Sequence, residues 1–169
     1  MGRFVPHKNI PILLDVFKLL RATGLDLSLH IIGDGPLRPY VERLARDVAG
    51  ASVLGPLSKE ELITELKNAW VAAIPSTREG QGIAFLESMA AGTPLVTVDG
   101  RFTAVREVVQ NGRNGFVTEL SSEAIASAIR QLLEDQNLWK RFSEEGYRTA
   151  SCYSWDESAE RYEQLLLDS

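Results

Sequence analysis

A single cysteine, Cys152, is the whole thiol content of this 169-residue sequence. It cannot close an internal disulfide or supply a cysteine-rich zinc site, which excludes a disulfide scaffold and sets a reducing, cytoplasmic compartment as the expectation. Histidine is almost as scarce, since His7 and His30 stand alone. With no H-E-x-x-H and no two aspartates spaced two apart, the sequence offers no local metal-ligand cluster, and no metal is expected. The G-x-S-x-G elbow of a hydrolase and the G-K-[ST] ending of a phosphate-binding P-loop are missing too. His30 reads as a strand residue and Cys152 as structural.

Positive charge is in deficit, with 18 basic against 23 acidic residues and a net charge of -5. A chain without a broad positive field is not expected to bind nucleic acid. Long hydrophobic runs are also absent: the longest extends only from Ala69 to Ile74, far short of the roughly 18 to 20 residues of a membrane span. Pro6, His7, Lys8 and Asn9 break any signal-peptide core, so no targeting segment is read, although attachment of a longer protein to a membrane surface stays open. What is present is an ordinary globular composition, 44% hydrophobic and 24% charged, enough for one domain spanning residues 1–169.

Short apolar runs alternate with longer segments of helical period, the pattern of an α/β fold: a Rossmann-like three-layer domain with a mostly parallel sheet of about six strands. The first strand can use only Met1 to Val5. Asn9 is expected to cap a helix carrying Ile10, Leu13, Leu14, Phe17 and Leu20 on one stripe. The strand Leu25 to Ile32 leads to the turn Gly33-Asp34-Gly35-Pro36, with Pro36 in the first turn of the next helix. A brief strand at Ser52 to Leu54 precedes a capping box at Ser58 and Glu61. Trp70 to Ile74 reads as a fully buried strand, Ile83 to Ala91 as a helix closed by Gly92, Leu95 to Val98 and Gly115 to Val117 as further strands. A helical C-terminal tail follows, at Glu123 to Glu134, Leu138 to Ala150 and from Ser154 onward through Trp155, Ala159, Tyr162 and Leu166. A first strand followed by a right-handed crossover normally lies mid-sheet, so the chain is expected to begin short of a full domain.

The chemistry concentrates in Pro75-Ser-Thr-Arg-Glu79-Gly80-Gln81-Gly82-Ile83-Ala-Phe-Leu-Glu87. Gly80 and Gly82 remove side-chain bulk where a helix begins, so backbone N–H groups there can receive a phosphate. Helical spacing puts Ile83, Leu86 and Ala90 on the buried face and leaves Glu87 to project toward the strand-end cleft. Beside a phosphate, carboxylates such as Glu79 and Glu87 have the natural task of accepting hydrogen bonds from sugar hydroxyls. Gly33-Asp34-Gly35 lacks the third glycine of a dinucleotide fingerprint, since Arg38 stands there, and a tight turn is the simpler reading.

This stretch, with two glutamates separated by seven residues, resembles the donor-site motif of the retaining glycosyltransferases of family 4 (glycosyl transferases group 1), in the C-terminal half of the GT-B fold. Gly2-Arg3-Phe-Val-Pro-His-Lys8 is similar to that family's opening loop, Gly33-Asp34-Gly35-Pro36 to its second-strand turn, Gly112-Arg-Asn-Gly115-Phe-Val to its last-strand entry, and Tyr153-Ser-Trp155 to the start of its closing helix. The resemblance implies a donor-binding domain that transfers a hexose-type sugar from a nucleoside diphosphate sugar to a hydroxyl acceptor with net retention. It implies Arg3 and Lys8 on the diphosphate, and Glu79 with the backbone of Gly80, Gln81, Gly82 and Ile83 on the donor sugar. Glu87 would take the ribose hydroxyls, and Gly2 belongs to the opening loop. Catalysis would fall to Glu79, Arg3 and Lys8 as electrostatic groups, with no covalent role for Glu79.

Two departures bear on selectivity: Gln81 stands where that family often has an aromatic residue, and only Asp99-Gly100 represents its usual Gly-Gly. The backbone of Leu54 to Leu57 is a candidate for base recognition. The resemblance implies no cofactor, the nucleotide sugar being a substrate, and an absent N-terminal acceptor domain as partner. It also implies that the isolated chain does not turn over. A sugar-nucleotide epimerase half-domain and a non-catalytic nucleotide-binding module remain the alternatives.

Overall fold

The computed structural model describes residues 1–153 except Arg101 and Ala104, with the backbone alone for Phe102 and Thr103. Along these residues strands and helices alternate: β1 (Gly2–Arg3), α1 (Ile10–Arg21), β2 (Leu29–Asp34), α2 (Arg38–Arg46), β3 (Ala51–Leu54) and α3 (Lys59–Asn68) form the first half. The second half contains β4 (Ala72–Ile74), β5 (Arg78–Glu79), α4 (Ile83–Ala90), β6 (Leu95–Val98), β7 (Phe102–Thr103), α5 (Val105–Val108), β8 (Gly115–Thr118), α6 (Ser122–Glu134) and α7 (Gln136–Ser151). The helix expected from Ser154 lies outside the described residues.

Every strand pair is parallel, as the α/β alternation requires, because parallel neighbours need a helical crossover. The six main strands fall into two triplets, ordered β1-β2-β3 and β4-β6-β8, while β5 and β7 make a small separate pair. Between β2 and β4 the sheet is interrupted.

The helices cover both triplets. α1 buries Ile10, Leu13, Leu14, Phe17 and Leu20 as its period demands. One core gathers Phe4, Leu14, Phe17, Ile31 and Val41 beneath β2. A second joins Val16 and Leu20 to Val96, Ile125, Leu132 and Phe142, where the Phe142 and Phe116 rings meet edge to face at 4.9 Å. A third holds Ile74, Phe85, Met89, Leu95 and Val105.

Ser58 and Glu61 form the expected capping box, the Ser58 N–H donating to Glu61 Oε2 at 2.7 Å and the Glu61 N–H to Ser58 Oγ at 3.2 Å. Four local expectations are corrected. β2 starts at Leu29 and includes Gly33 and Asp34, because those two residues still pair with β1. Pro39, rather than Pro36, occupies the first turn of α2, since the chain spends Gly35 to Leu37 turning beside Phe4. Trp70 lies outside β4 and is 56% exposed, its carbonyl accepting the Trp139 indole N–H at 2.8 Å. The buried face of α4 is Phe85, Ser88 and Met89, while Ile83 and Ala90 are exposed, because the helix turns that side toward α7, where Gly146 admits Met89.

Candidate functional site

The carboxyl ends of β1 and β2 meet through a backbone approach that only glycine permits. Gly33 has φ +136, and a Cβ there would stand 1.9 Å from the Gly2 carbonyl oxygen. Gly35 has φ +151, and its Cβ would stand 2.7 Å from the backbone N and O of Phe4. The two glycines are thus needed to seat the Gly2 to Phe4 segment, a role for close approach that the turn reading left out. Phe4 is fully buried; its N–H donates to the Asp34 carbonyl at 2.7 Å and its own carbonyl accepts from Leu37 N–H at 3.1 Å. Arg3, which ends β1 just before Phe4, is exposed.

After β1 a tight turn at Pro6–Lys8 ends at Asn9, whose backbone is left-handed at φ 50. Asn9 makes no side-chain cap to α1. Its amide instead donates to the carbonyls of His7 at 3.2 Å and Pro75 at 2.9 Å, correcting the capping expectation. Thr77 N–H adds a bond to the His7 carbonyl at 3.0 Å. The loop after β1 is thereby tied to the loop after β4, and that clamp brings Lys8 to Glu79. Their side chains form an ion pair, 16% and 11% exposed respectively.

Beside this pair lies a cleft of about 300 Å³ whose lining includes Gly2, Arg3, Asp34, Leu57, Ala84 and Glu87. It opens at the carboxyl ends of β1 and β2 and the start of α4, where open parallel sheets take their ligands. Glu87 is exposed overall, yet it lines the cleft. Desolvation there pushes its pKa above the usual value, against the lowering pull of Lys59 and the Met1 amine. The Met1 amine is enclosed, and its pKa falls to about 6, chiefly through burial and then through repulsion by Lys8, with Glu79 and Glu87 pulling the other way.

The residues singled out in the sequence are divided between two places. Gly2, Arg3 and Glu87 line the cleft, and Lys8 and Glu79 form the adjoining ion pair. Gly80, Gln81, Gly82 and Ile83 do not line that cavity; they lead into α4 at its margin. Gly82 caps α4 with φ 66, and a Cβ there would meet the Phe85 ring at 2.8 Å. Among the described residues nothing comes within 4 Å of a Cβ at Gly80, while Gln81 and Ile83 are exposed. Among the described residues no side chain caps α4, so the first-turn amides of this helix present partial positive charge.

Of the base-recognition segment, Pro56 and Leu57 line the cleft and Leu54 and Gly55 do not. Sequence reasoning missed Asp34, Leu62 and Ala84 in the lining and the Asn9 clamp. Nothing in the sequence signals the clamp, because Asn9 and Pro75 are separated by 66 positions. Chemically the arrangement offers a guanidinium (Arg3) and two carboxylates (Asp34 and Glu87) on one cleft, with the Lys8–Glu79 ion pair alongside. Among the described residues no group of three His, Cys, Asp or Glu side chains could hold a metal ion, and no helix is long and apolar enough to cross a membrane.

Residues 1–149 match the family described as Glycosyl transferases group 1. An uncharacterized glycosyltransferase of Methanocaldococcus jannaschii is 28% identical over 159 residues, covering 92% of this chain and 43% of that protein. The GDP-mannose-dependent alpha-(1-6)-phosphatidylinositol dimannoside mannosyltransferase of Mycobacterium tuberculosis is 31% identical, covering 94% of this chain and 40% of its own length. The chain thus spans about two fifths of the curated relatives it matches. In fold it is similar to the crystal structure of a TarM variant from S. aureus in complex with UDP and alpha-GlcNAc-glycerol, with a TM-score of 0.85 at 23% identity over 97% of this chain and 34% of that one.

Proposed function

This chain belongs to the glycosyl transferases group 1, and from that premise we propose that it is the donor-binding half of a two-domain, retaining glycosyltransferase. The reaction is transfer of a sugar from a nucleoside diphosphate to a hydroxyl acceptor. The observation that carries this reading is the convergence of Arg3 and Glu87 on one cleft at the carboxyl ends of the strands.

In the proposed complex the ribose diol donates to the Glu87 carboxylate, and the Arg3 guanidinium meets the diphosphate with its planar fork. Lys8 and the first-turn amides of α4 complete the phosphate environment, while Glu79 and the Gly80 to Ile83 backbone face the sugar. As the bond between the anomeric carbon and the diphosphate oxygen breaks, negative charge grows on the leaving group, and Arg3, Lys8 and the amides stabilise it. The acceptor oxygen bonds to the anomeric carbon on the same face, and its proton passes to the departing phosphate. Arg3 and Lys8 supply the charge that a divalent ion would otherwise bring. The acceptor site belongs to the other half of the enzyme, so the chain alone binds donor without turnover.

The test is calorimetric titration with UDP, GDP and their sugar conjugates, with and without EDTA. Glu87→Gln is expected to weaken bare nucleotide by about ten- to a hundredfold, the loss of charge-assisted bonds worth roughly 1.5 to 3 kcal/mol. EDTA should leave the titrations unchanged. Unaltered affinity in folded Glu87→Gln protein, or binding that needs added magnesium or manganese, would overturn the reading.

A further inference from the structure

Arg3 and Glu87 have tasks in the proposed complex, but a third charged side chain on the same cleft has none: Asp34, at the end of β2. Its place follows from the strand order. Asp34 stands opposite Arg3 of β1, while β3, on the other side of β2, ends at Leu54, two residues before Pro56 and Leu57 enter the cleft. The charge of Lys59, at the start of α3, acts on Glu87 and lowers its pKa. The exit of β3 and the flank of α4 that carries Glu87 therefore face each other across the cleft. With the ribose at Glu87, its base falls against Pro56, Leu57 and Leu62, and Asp34 is the charged side chain beside that apolar group. The diphosphate is repelled by Asp34 and drawn to Arg3, so the edge of the neutral base is what remains to meet this carboxylate.

Asp34 is set in position from behind. Its Oδ1 accepts the Gly35 N–H at 2.7 Å, and its Oδ2 lies 3.7 Å from the Arg38 guanidinium, beyond hydrogen-bond distance. Arg38 is held in turn by Glu42, its Nε donating to Oε1 at 2.7 Å. Gly55 leaves the guanidinium its space, since a Cβ there would stand 3.3 Å from Arg38 Nη1. A carboxylate has about four lone-pair sites, of which the Gly35 bond takes one. Acceptor capacity remains, on a side chain 54% exposed.

We propose that Asp34 reads the base and selects guanine, which makes the donor a guanosine diphosphate sugar. This rests on the nucleotide reading of the cleft. Guanine presents two adjacent donors, N1–H and the 2-amino group, that a carboxylate accepts in parallel. Uracil presents one N–H between two carbonyl oxygens, and adenine and cytosine each present an amino group beside an acceptor nitrogen. All three set a lone pair against Asp34, which has no proton to give as a carboxylate. Pro56, Leu57 and Leu62 pack against the ring of any base, so discrimination falls to the one fixed acceptor, by attraction for guanine and repulsion for the rest.

The experiment is calorimetry of the 169-residue chain with GDP, with inosine diphosphate, which lacks only the 2-amino group, and with UDP. GDP is expected to bind about ten- to a hundredfold more tightly than either of the others. Asp34→Asn should erase most of that margin by weakening GDP while leaving UDP no weaker. An unsubstituted chain that binds inosine diphosphate or UDP as tightly as GDP overturns the inference without any variant. So does an Asp34→Asn protein that loses affinity for all three ligands in equal proportion, the mark of a residue that serves only its own turn. Glu87→Gln separates this inference from the reading beneath it. If that variant weakens every diphosphate but no guanine preference exists, the nucleotide reading stands and the base assignment falls; a chain that binds none of the three loses both.

Discussion

Removing one partner from the Lys8–Glu79 pair tests how the site is held together. The two side chains are only 16% and 11% exposed. Unit charges about 4 Å apart attract by about 4 kcal/mol at an effective dielectric near 20, and desolvation takes back part of that. Exposed pairs yield about 0.2 to 1 kcal/mol, whereas breaking a fully buried pair costs about 3 to 5 kcal/mol. This pair stands between those limits and nearer the buried one. Glu79→Gln and Lys8→Met are each expected to lose about 2 kcal/mol, and the double variant little more than either, giving a coupling of about 2 kcal/mol. The assay is urea unfolding of the four proteins at pH 7. Additive losses, with a coupling below about 0.5 kcal/mol, would refute the reasoning. The same variants separate the two glutamates in binding. Glu79→Gln frees Lys8 for phosphate, so bare UDP should bind as well or more tightly, while Lys8→Met should weaken it. A loss in Glu79→Gln equal to that in Glu87→Gln would remove the distinction between sugar and ribose roles.

Gly33→Ala places a Cβ 1.9 Å from the Gly2 carbonyl at φ +136 and should cost about 3 to 5 kcal/mol in chemical denaturation, whereas Gly80→Ala, with nothing within 4 Å among the described residues, should stay within about 0.5 kcal/mol. Acetylating the Met1 amine should change how stability depends on pH. Folding lowers that amine from 8.0 to about 6, so the folded state sheds a proton between those values and the unmodified chain loses stability as pH falls from 8 to 6. Two pK units correspond to about 2 to 3 kcal/mol. The acetylated chain should match the free one above pH 8 and exceed it by that amount below pH 6. A constant difference across the range would show that burial of the ammonium is not what folding opposes.

Local chemistry was legible wherever a short pattern sufficed. The Ser58–Glu61 box, the apolar stripe of α1 and the four buried residues of β6 each follow from period or capping within a few positions, and parallel pairing follows from the alternation of strands and helices. That Arg3 and Glu87 belong together was legible because their residue types and order resemble a family motif, and both line the one cleft.

The sequence by itself determined the kind of layers, their order and most residues that must be inside, since those depend on contacts within one element or its neighbour. Tertiary structure alone decided which side of α4 faces inward, because Gly146 lets α7 approach Met89 and draws Ile83 to the surface. It decided that Asn9 would clamp two loops rather than cap a helix, and that Lys8 would meet Glu79 across 71 positions. It also decided that Gly33 and Gly35 yield space to Gly2 and Phe4. Each outcome rests on where two distant backbones come to lie, a quantity that hydrophobic period and local propensity do not encode.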